Sequence, residues 1–198
     1  MQNIVTELVC TRLSHDIIGN IGAVANAVEL LEEGDLDFID DIKSILKTSS
    51  TTLASRLKFF RMAFGLSNVN LEDNNLVKTI TQDYLYTIGN KDFPINLQFN
   101  VESPFNKKNA LLMIMAISDI LIRGGNIEAY CDDNNLIVQI DASLKISTDK
   151  LNKIKDALYT SSCNLDASLA PIACLLSKKN KLSLSVDDNH IKLVMETL

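Results

Sequence analysis

Residues 10–33 read CTRLSHDIIGNIGAVANAVELLEE, and this stretch decides the fold of the N-terminal part of the chain. Its apolar residues recur at spacings of three and four, at Cys10, Leu13, Ile17, Ile21, Val24, Val28 and Leu31. Such spacing places them along one side of an α-helix with about 3.6 residues per turn. The stretch therefore predicts a long amphipathic helix from about Asn3 to Glu33, which ends where Gly34 provides a C-cap.

A second amphipathic helix is predicted directly after the first, because apolar residues recur with the same spacing. They are Ile39, Ile42, Leu46, Leu53, Leu57, Phe60 and Phe64. Gly65 follows them as a helix end. Since the connection after Gly34 is short, we expect the two helices to lie antiparallel as a hairpin, which we assign to residues 1–66.

The predicted hairpin carries more apolar residues than the contact between its own two helices can cover. Ile4, Val9, Ile18, Ala25 and Leu30 all lie off the main apolar line. Burying them requires another layer. A second copy of the chain, related by a twofold axis, would supply that layer by forming a four-helix bundle, so we expect a homodimer. Packing of the C-terminal half along the hairpin is the alternative, and the sequence leaves both open.

The apolar period changes after a polar, asparagine-rich segment at residues 65–75. Beyond it the sequence predicts helices near 71–88, 107–123, 148–158 and 165–177. Strands are predicted near 95–101, 126–131, 136–141, 181–186 and 190–196. We assign residues 71–198 to an α/β sandwich with helices on one face of a sheet, and the whole chain to the α+β class. Phe59, Phe60 and Phe64 crowd the end of the second helix and are predicted to anchor the hairpin to this domain.

The composition limits the classes of partner. The chain has 198 residues, 46% of them hydrophobic, a formal net charge of −6 and a pI near 4.9. A chain without a basic patch is not expected to bind nucleic acid or an anionic membrane. The longest uncharged apolar stretch, residues 17–28, is shorter than the roughly 20 residues that span a bilayer, and no signal peptide is recognised. The cysteines form no CxxC pair and the histidines complete no zinc site, so we expect a cytoplasmic protein without a bound metal.

His15 is the main candidate for chemistry on the first helix. It lies about 200° of helical rotation from the apolar residues before and after it, so its ring is expected to point into solvent. Ile18, Gly19 and Gly22 share its face, and a glycine inside a helix costs roughly 1 kcal/mol relative to alanine. Their missing side chains would let another protein approach. A neutral imidazole is nucleophilic near pH 7 and can carry a phosphoryl group, whereas a merely solvated histidine is the simpler interpretation.

Three charged residues accompany His15. Asp16 could orient the second ring nitrogen, although adjacent side chains diverge by about 100° on a helix. Antiparallel pairing places Arg56 of the second helix level with His15, so Arg56 and Arg12 are candidates to meet a phosphate or an acidic partner surface. Each of the three could equally be an ordinary surface charge, and the residues alone leave this open.

The 10–33 stretch, taken with RLKFFRMAFG at residues 56–65, resembles the bacterial histidine phosphotransferase family of ChpT-like proteins. The resemblance extends over nearly the whole chain in the length and order of the predicted elements. It implies that His15 accepts a phosphoryl group from the receiver domain of a hybrid histidine kinase and passes it to response regulators, within a homodimer. The family is in turn similar to sensor histidine kinases, whose dimerisation region the hairpin resembles and whose ATP-binding domain the second domain resembles.

The second domain departs from an ATP-binding domain in the segments that would hold nucleotide. Residues 110–119 read ALLMIMAISD, mostly apolar, where the kinase fold has an asparagine-bearing helix. Asp141 is followed by Ala142 and Ser143 where the kinase fold has spaced glycines, and the chain's seven glycines form no phosphate-binding loop. We therefore expect a degenerate ATPase-like domain, no bound cofactor, and Mg²⁺ supplied by the partner receiver domain.

Two other functions are compatible with the same residues. A dimeric degenerate-kinase module could bind and titrate a response regulator without carrying phosphate. An active autokinase is disfavoured, because the nucleotide motifs are missing.

Overall fold

The computed structural model describes residues 2–34, 38–65, 71–132, 134–160 and 166–196. Helix α1 (Gln2–Glu32) and helix α2 (Ile39–Phe64) pack together as the predicted hairpin. Gly34 ends the first helix with a φ of +75°, a left-handed conformation that glycine adopts without a steric penalty. Within the polar segment 65–75, where we place the boundary between the two domains, residues 66–70 lie outside the described residues.

The second half of the chain contains the predicted helices and strands in the predicted order. Helix α3 (Asn74–Ile88), strand β1 (Ile95–Asn100), helix α4 (Pro104–Ser118), strand β2 (Gly125–Asp132) and strand β3 (Asn135–Asp141) come first. They are followed by helix α5 (Thr148–Tyr159), a 3₁₀ turn (Ala167–Leu169), helix α6 (Ala170–Ser177), strand β4 (Leu182–Val186) and strand β5 (His190–Glu196).

Helix α4 is the element whose predicted bounds were wrong. It was expected at residues 107–123 but covers Pro104–Ser118, with the proline in its first turn. The chain leaves the helix early because Leu121 forms a β-bridge with Ile146, and the N–H of Ile122 donates to the carbonyl oxygen of Lys145 at 3.0 Å. These partners lie far away in the sequence, so helical periodicity could not indicate where the helix ends.

The five strands form one mixed sheet in the order β1-β2-β3-β5-β4. Strands β1 and β2 are parallel and are connected through α4, whereas the other neighbours are antiparallel. Helices α3, α4 and α5 each contact strands of this sheet, and β1 alternates strictly between buried and exposed residues. The alternation leaves one face of β1 to solvent. The α+β class is therefore confirmed.

One hydrophobic core joins the hairpin to the second half of the chain. Residues 110–117 of α4 are almost fully buried within it. Phe59 of α2 stacks on Tyr84 of α3 with 3.8 Å between ring centroids, and Phe60 meets the same ring edge-on at 5.8 Å. Burying one phenylalanine side chain contributes about 1.5–3 kcal/mol. The prediction that these aromatic residues anchor the hairpin is confirmed.

The second half also packs along the hairpin, which was the alternative to dimerisation. Helix α1 contacts α6 and the 3₁₀ turn, and α2 contacts α3 and α4. Six apolar residues of α1 nevertheless keep at least 41% of their surface exposed: Ile4, Ile18, Ile21, Val28, Leu30 and Leu31. None of the described helices is long and apolar enough to cross a membrane. A second copy that covers part of this surface stays a prediction.

Candidate functional site

His15 lies near the middle of α1, with 84% of its side chain exposed to solvent. Its Nδ1 lies 3.3 Å from Oδ1 of Asp16, and its Nε2 has no hydrogen-bond partner among the described residues. An ionised carboxylate can only accept a hydrogen bond. In a neutral ring this contact therefore favours the proton on Nδ1, which leaves the nucleophilic lone pair on Nε2, facing away from Asp16.

Asp16 is held in turn by Arg12, one helical turn earlier. The Nε of Arg12 donates to Oδ2 of Asp16 at 2.7 Å. The two Nη atoms donate to both carboxylate oxygens of Asp119, at 2.5 and 2.9 Å. Asp119 directly follows α4, so this pair connects α1 to the second half of the chain. Two parallel hydrogen bonds of this kind fix the plane of the guanidinium group as well as its position.

The ion-paired side chains are largely closed to water. Arg12, Asp119 and Asp16 keep only 10%, 13% and 15% of their side-chain surface exposed. Burial by itself would lower the pKa of the Arg12 guanidinium, but the hydrogen bonds and charge of Asp119 outweigh it and hold the pKa above its ordinary value. Arg12 therefore keeps its positive charge beside Asp16 throughout the physiological pH range.

Tyr84 lies where these charges act on it, with its ring fully buried. Burial raises the pKa of its hydroxyl, and the negative charge of Asp119 raises it further. The hydroxyl has no hydrogen-bond partner among the described residues. Since an unpaired hydroxyl is costly to bury, this hydroxyl lowers the free energy of unfolding of the core beneath the site.

Arg56 is also occupied within the chain. Its Nε donates to Oγ1 of Thr87 and its Nη2 to the carbonyl oxygen of Thr87, both at 3.1 Å, while its Nη1 donates to the backbone oxygen of Asp16. The contact with Asp16 confirms that Arg56 lies level with the histidine. Guanidinium groups that are removed from water must find acceptors, which is why both arginines bond inward. Contact of Arg12 or Arg56 with a phosphate or an acidic partner surface stays a prediction.

An open surface adjoins His15 on its own side of α1. Ile18 has 67% of its surface exposed, and a Cβ atom added at Gly19 or Gly22 would meet no atom within 4 Å beyond its chain neighbours and the adjoining helix backbone. Packing within this chain therefore does not require either glycine. We call His15, Ile18, Gly19 and Gly22 the histidine face. We still predict that another protein contacts the histidine face.

The other histidine lies apart from these residues. His190 begins β5, where its backbone pairs with Asp141 of β3. Within the parts of the chain that the structure describes, no group of three or more histidine, cysteine, aspartate or glutamate side chains is arranged to hold a metal ion. The histidine face is therefore the strongest candidate for a reactive site among these residues.

Part of the chain is similar in sequence to a known phosphotransferase. No protein family model matches the chain. Over 58 residues it is 47% identical to protein phosphotransferase ChpT of Brucella abortus (strain 2308), and this match covers 29% of the chain and 27% of that protein. The chain is thus matched to little more than a quarter of this relative's length.

Solved structures are similar over a much longer stretch. A 1.7 Å structure of a bacterial phosphotransferase has a TM-score of 0.74 and 22% identity, covering 97% of this chain and 95% of that one. The resemblance to ChpT-like phosphotransferases is confirmed. At that identity the structural likeness shows the fold alone. The Acinetobacter baumannii histidine kinase AdeS has a TM-score of 0.41 and 14% identity, covering 92% of this chain and 96% of that one.

Asp119 is the residue of this site that the sequence did not indicate. It lies 107 positions from Arg12, just beyond a helix that was predicted to continue past it. No local pattern connects the two. The pairing of Arg12 with Asp16 did have a signal, because residues four apart lie on the same side of a helix and opposite charges at that spacing attract.

Proposed function

We propose that this chain is a histidine phosphotransfer protein, which carries a phosphoryl group on His15 between the aspartates of receiver domains. The observation that carries this proposal is the exposed ring of His15, whose Nδ1 is paired with Asp16 while its Nε2 has no hydrogen bond to any residue that the structure describes. Similarity to ChpT over part of the chain and the phosphotransferase-like fold support it.

Transfer begins when Nε2 attacks the phosphorus of an aspartyl phosphate in the donor receiver domain. A nitrogen–phosphorus bond forms, the oxygen–phosphorus bond breaks, and the aspartate leaves as a carboxylate. The ring becomes a cation that keeps its proton on Nδ1, and the negative charge of Asp16 stabilises it. Attack by the aspartate of a second receiver domain reverses these steps. Mg²⁺ held by the receiver domain offsets the charge on the phosphoryl oxygens, so this chain needs no cofactor of its own.

The proposed assembly is a homodimer that leaves the histidine face open to a receiver domain. At 100° per residue, the exposed Ile21 and Val28 lie about 120° and 140° around α1 from His15, on the side away from Arg12. The second half of the chain covers the Arg12 side. A second copy on the apolar side would therefore complete a four-helix bundle with His15 still in solvent.

The proposal is tested with receiver domains of the same organism, phosphorylated with a radioactive label. We expect label to pass to the wild-type chain and to His190→Ala, which lacks the chain's other histidine, but not to His15→Ala. Labelled protein is measured after electrophoresis at neutral or alkaline pH, since phosphohistidine is acid-labile.

Two results would overturn the proposal. If labelled receiver domains bind the wild-type chain without transferring phosphate, the chain is a module that titrates its partner. If the chain takes label from ATP when no receiver domain is present, it is an autokinase.

A further inference from the structure

The carboxylate beside His15 is not positioned by α1 alone. Adjacent side chains diverge by about 100° on a helix, so Asp16 has no intrinsic tendency to point at the ring of His15. Its Oδ2 instead bonds to Arg12, and its backbone oxygen bonds to Arg56. Arg12 is fixed by both oxygens of Asp119, which lies beyond the end of α4.

We propose that Asp119 is a positioning residue for His15, acting through Arg12 and Asp16. It makes the second half of the chain part of the phosphoacceptor site, a role that needs no nucleotide. The inference deepens the proposed function. Its test by the rate of phosphotransfer rests on that function. Its test by the tautomer of His15 does not, because the tautomer can be measured without phosphate.

The geometry of the arginine explains why Asp119 matters. Asp119 accepts a hydrogen bond from each Nη atom of Arg12, and this fork fixes the guanidinium in the orientation in which its Nε meets a single oxygen of Asp16. Asp16 therefore gives one oxygen to the arginine and keeps Oδ1 for Nδ1 of His15. Without Asp119, the guanidinium would be free to turn until Nε and one Nη bind both oxygens of Asp16, since a guanidinium binds a carboxylate best through two hydrogen bonds. His15 would then lose the acceptor that holds the proton on Nδ1.

The first readout is the tautomer of His15, measured by long-range ¹H–¹⁵N NMR at about pH 8.5, where an ordinary imidazole is neutral. In the wild type we expect the proton mainly on Nδ1. In Asp119→Asn we expect the population to shift towards the form with the proton on Nε2, while the signals of His190 stay unchanged. The second readout is the rate of phosphotransfer, for which we expect a fall of about 10-fold, the lower end of what the loss of a group that orients a metal-bound histidine costs.

Matched variants separate positioning from general destabilisation. Asp166→Asn removes a different ion pair of the second half, the 2.8 Å contact with Lys153, and should change neither readout. Asp119→Glu keeps the carboxylate and should retain the tautomer of the wild type at least in part. Arg12→Lys keeps the charge but replaces the planar fork with a rotatable ammonium that can bind either oxygen of Asp16, so it should also shift the tautomer, and it serves if Asp119→Asn does not fold.

An unchanged tautomer in the folded Asp119→Asn or Arg12→Lys protein would overturn the inference, whatever happens to the transfer rate. Asp119 would then only hold the two halves of the chain together. If the tautomer shifts as expected but the wild-type chain accepts no phosphate, the positioning stands and the proposed function fails.

Discussion

Buried polar groups lie directly beneath the exposed histidine. Arg12 shares its charge between two carboxylates, and removing one partner of such a buried pair typically costs about 3–5 kcal/mol. The intact pair contributes much less than this to the stability of the fold, because the cost of removing the charges from water offsets much of the attraction between them. We therefore assign the pair to orientation of Asp16 rather than to stability.

Tyr84 leads to a prediction about stability at the same scale. Its hydroxyl is buried and has no hydrogen-bond partner among the described residues, while its ring stacks on Phe59. Tyr84→Phe keeps the ring and removes the unpaired hydroxyl. We expect the free energy of unfolding to rise by about 1 kcal/mol, measured by urea denaturation.

The matched control is Tyr159→Phe. The hydroxyl of Tyr159 accepts a hydrogen bond from the backbone N–H of Leu184 at 2.8 Å and lies 3.3 Å from its carbonyl oxygen. Losing these contacts should lower the free energy of unfolding by about 1 kcal/mol. If Tyr84→Phe destabilised the protein as much as Tyr159→Phe, the buried hydroxyl would have a partner, such as a bound water.

At the scale of elements, helix α1 carries two glycines where its own stability would favour other residues. Beyond the chain neighbours and the adjoining helix backbone, no atom lies within 4 Å of a Cβ added at Gly19 or Gly22. An interior glycine costs roughly 1 kcal/mol relative to alanine. The two glycines therefore make the helix less stable than alanines would on the side where His15 is exposed. This is expected for a surface that another protein must approach closely.

Substitutions at Gly22 test this interpretation. Gly22→Ala should raise the free energy of unfolding by about 1 kcal/mol, measured by urea denaturation, because the methyl group fits the open space and improves helix propensity. Gly22→Leu should fold equally well but weaken docking of a phosphorylated receiver domain, seen as a higher receiver concentration at half-maximal transfer rate. Unchanged transfer kinetics in Gly22→Leu would show that no receiver approaches there.

At the scale of the whole molecule, one side of α1 is covered by the rest of the chain and the opposite side is exposed to solvent. The second half of the chain packs on the side of Arg12, whereas Ile21 and Val28 on the opposite side keep 53% and 41% of their surface exposed. A fully buried isoleucine contributes about 1.5–3 kcal/mol, and roughly half of this remains to be gained at Ile21 while the chain is alone. A twofold partner would bury such residues from both copies at once.

Ile21→Lys tests the dimer. The wild type should behave as two 21.9 kDa chains in size-exclusion chromatography with light scattering. The variant should dissociate about 100-fold more readily or worse, because the contacts of two isoleucines are lost across the twofold axis and two lysine charges would have to be buried in their place. Asn26→Lys adds the same charge to an exposed polar position of α1 and should remain dimeric. A wild type that stays monomeric at tens of micromolar would contradict the assembly.

The sequence by itself determined the hairpin, the order of helices and strands, and the exposure of His15. Each of these follows from local physics: apolar spacing sets which side of a helix is buried, and Gly34 ends the first helix through its left-handed backbone. The tertiary structure alone decided that α4 stops at Ser118 and that Asp119 meets Arg12. A buried guanidinium must find a carboxylate wherever folding brings one near, and the partner 107 residues away leaves no trace in local periodicity.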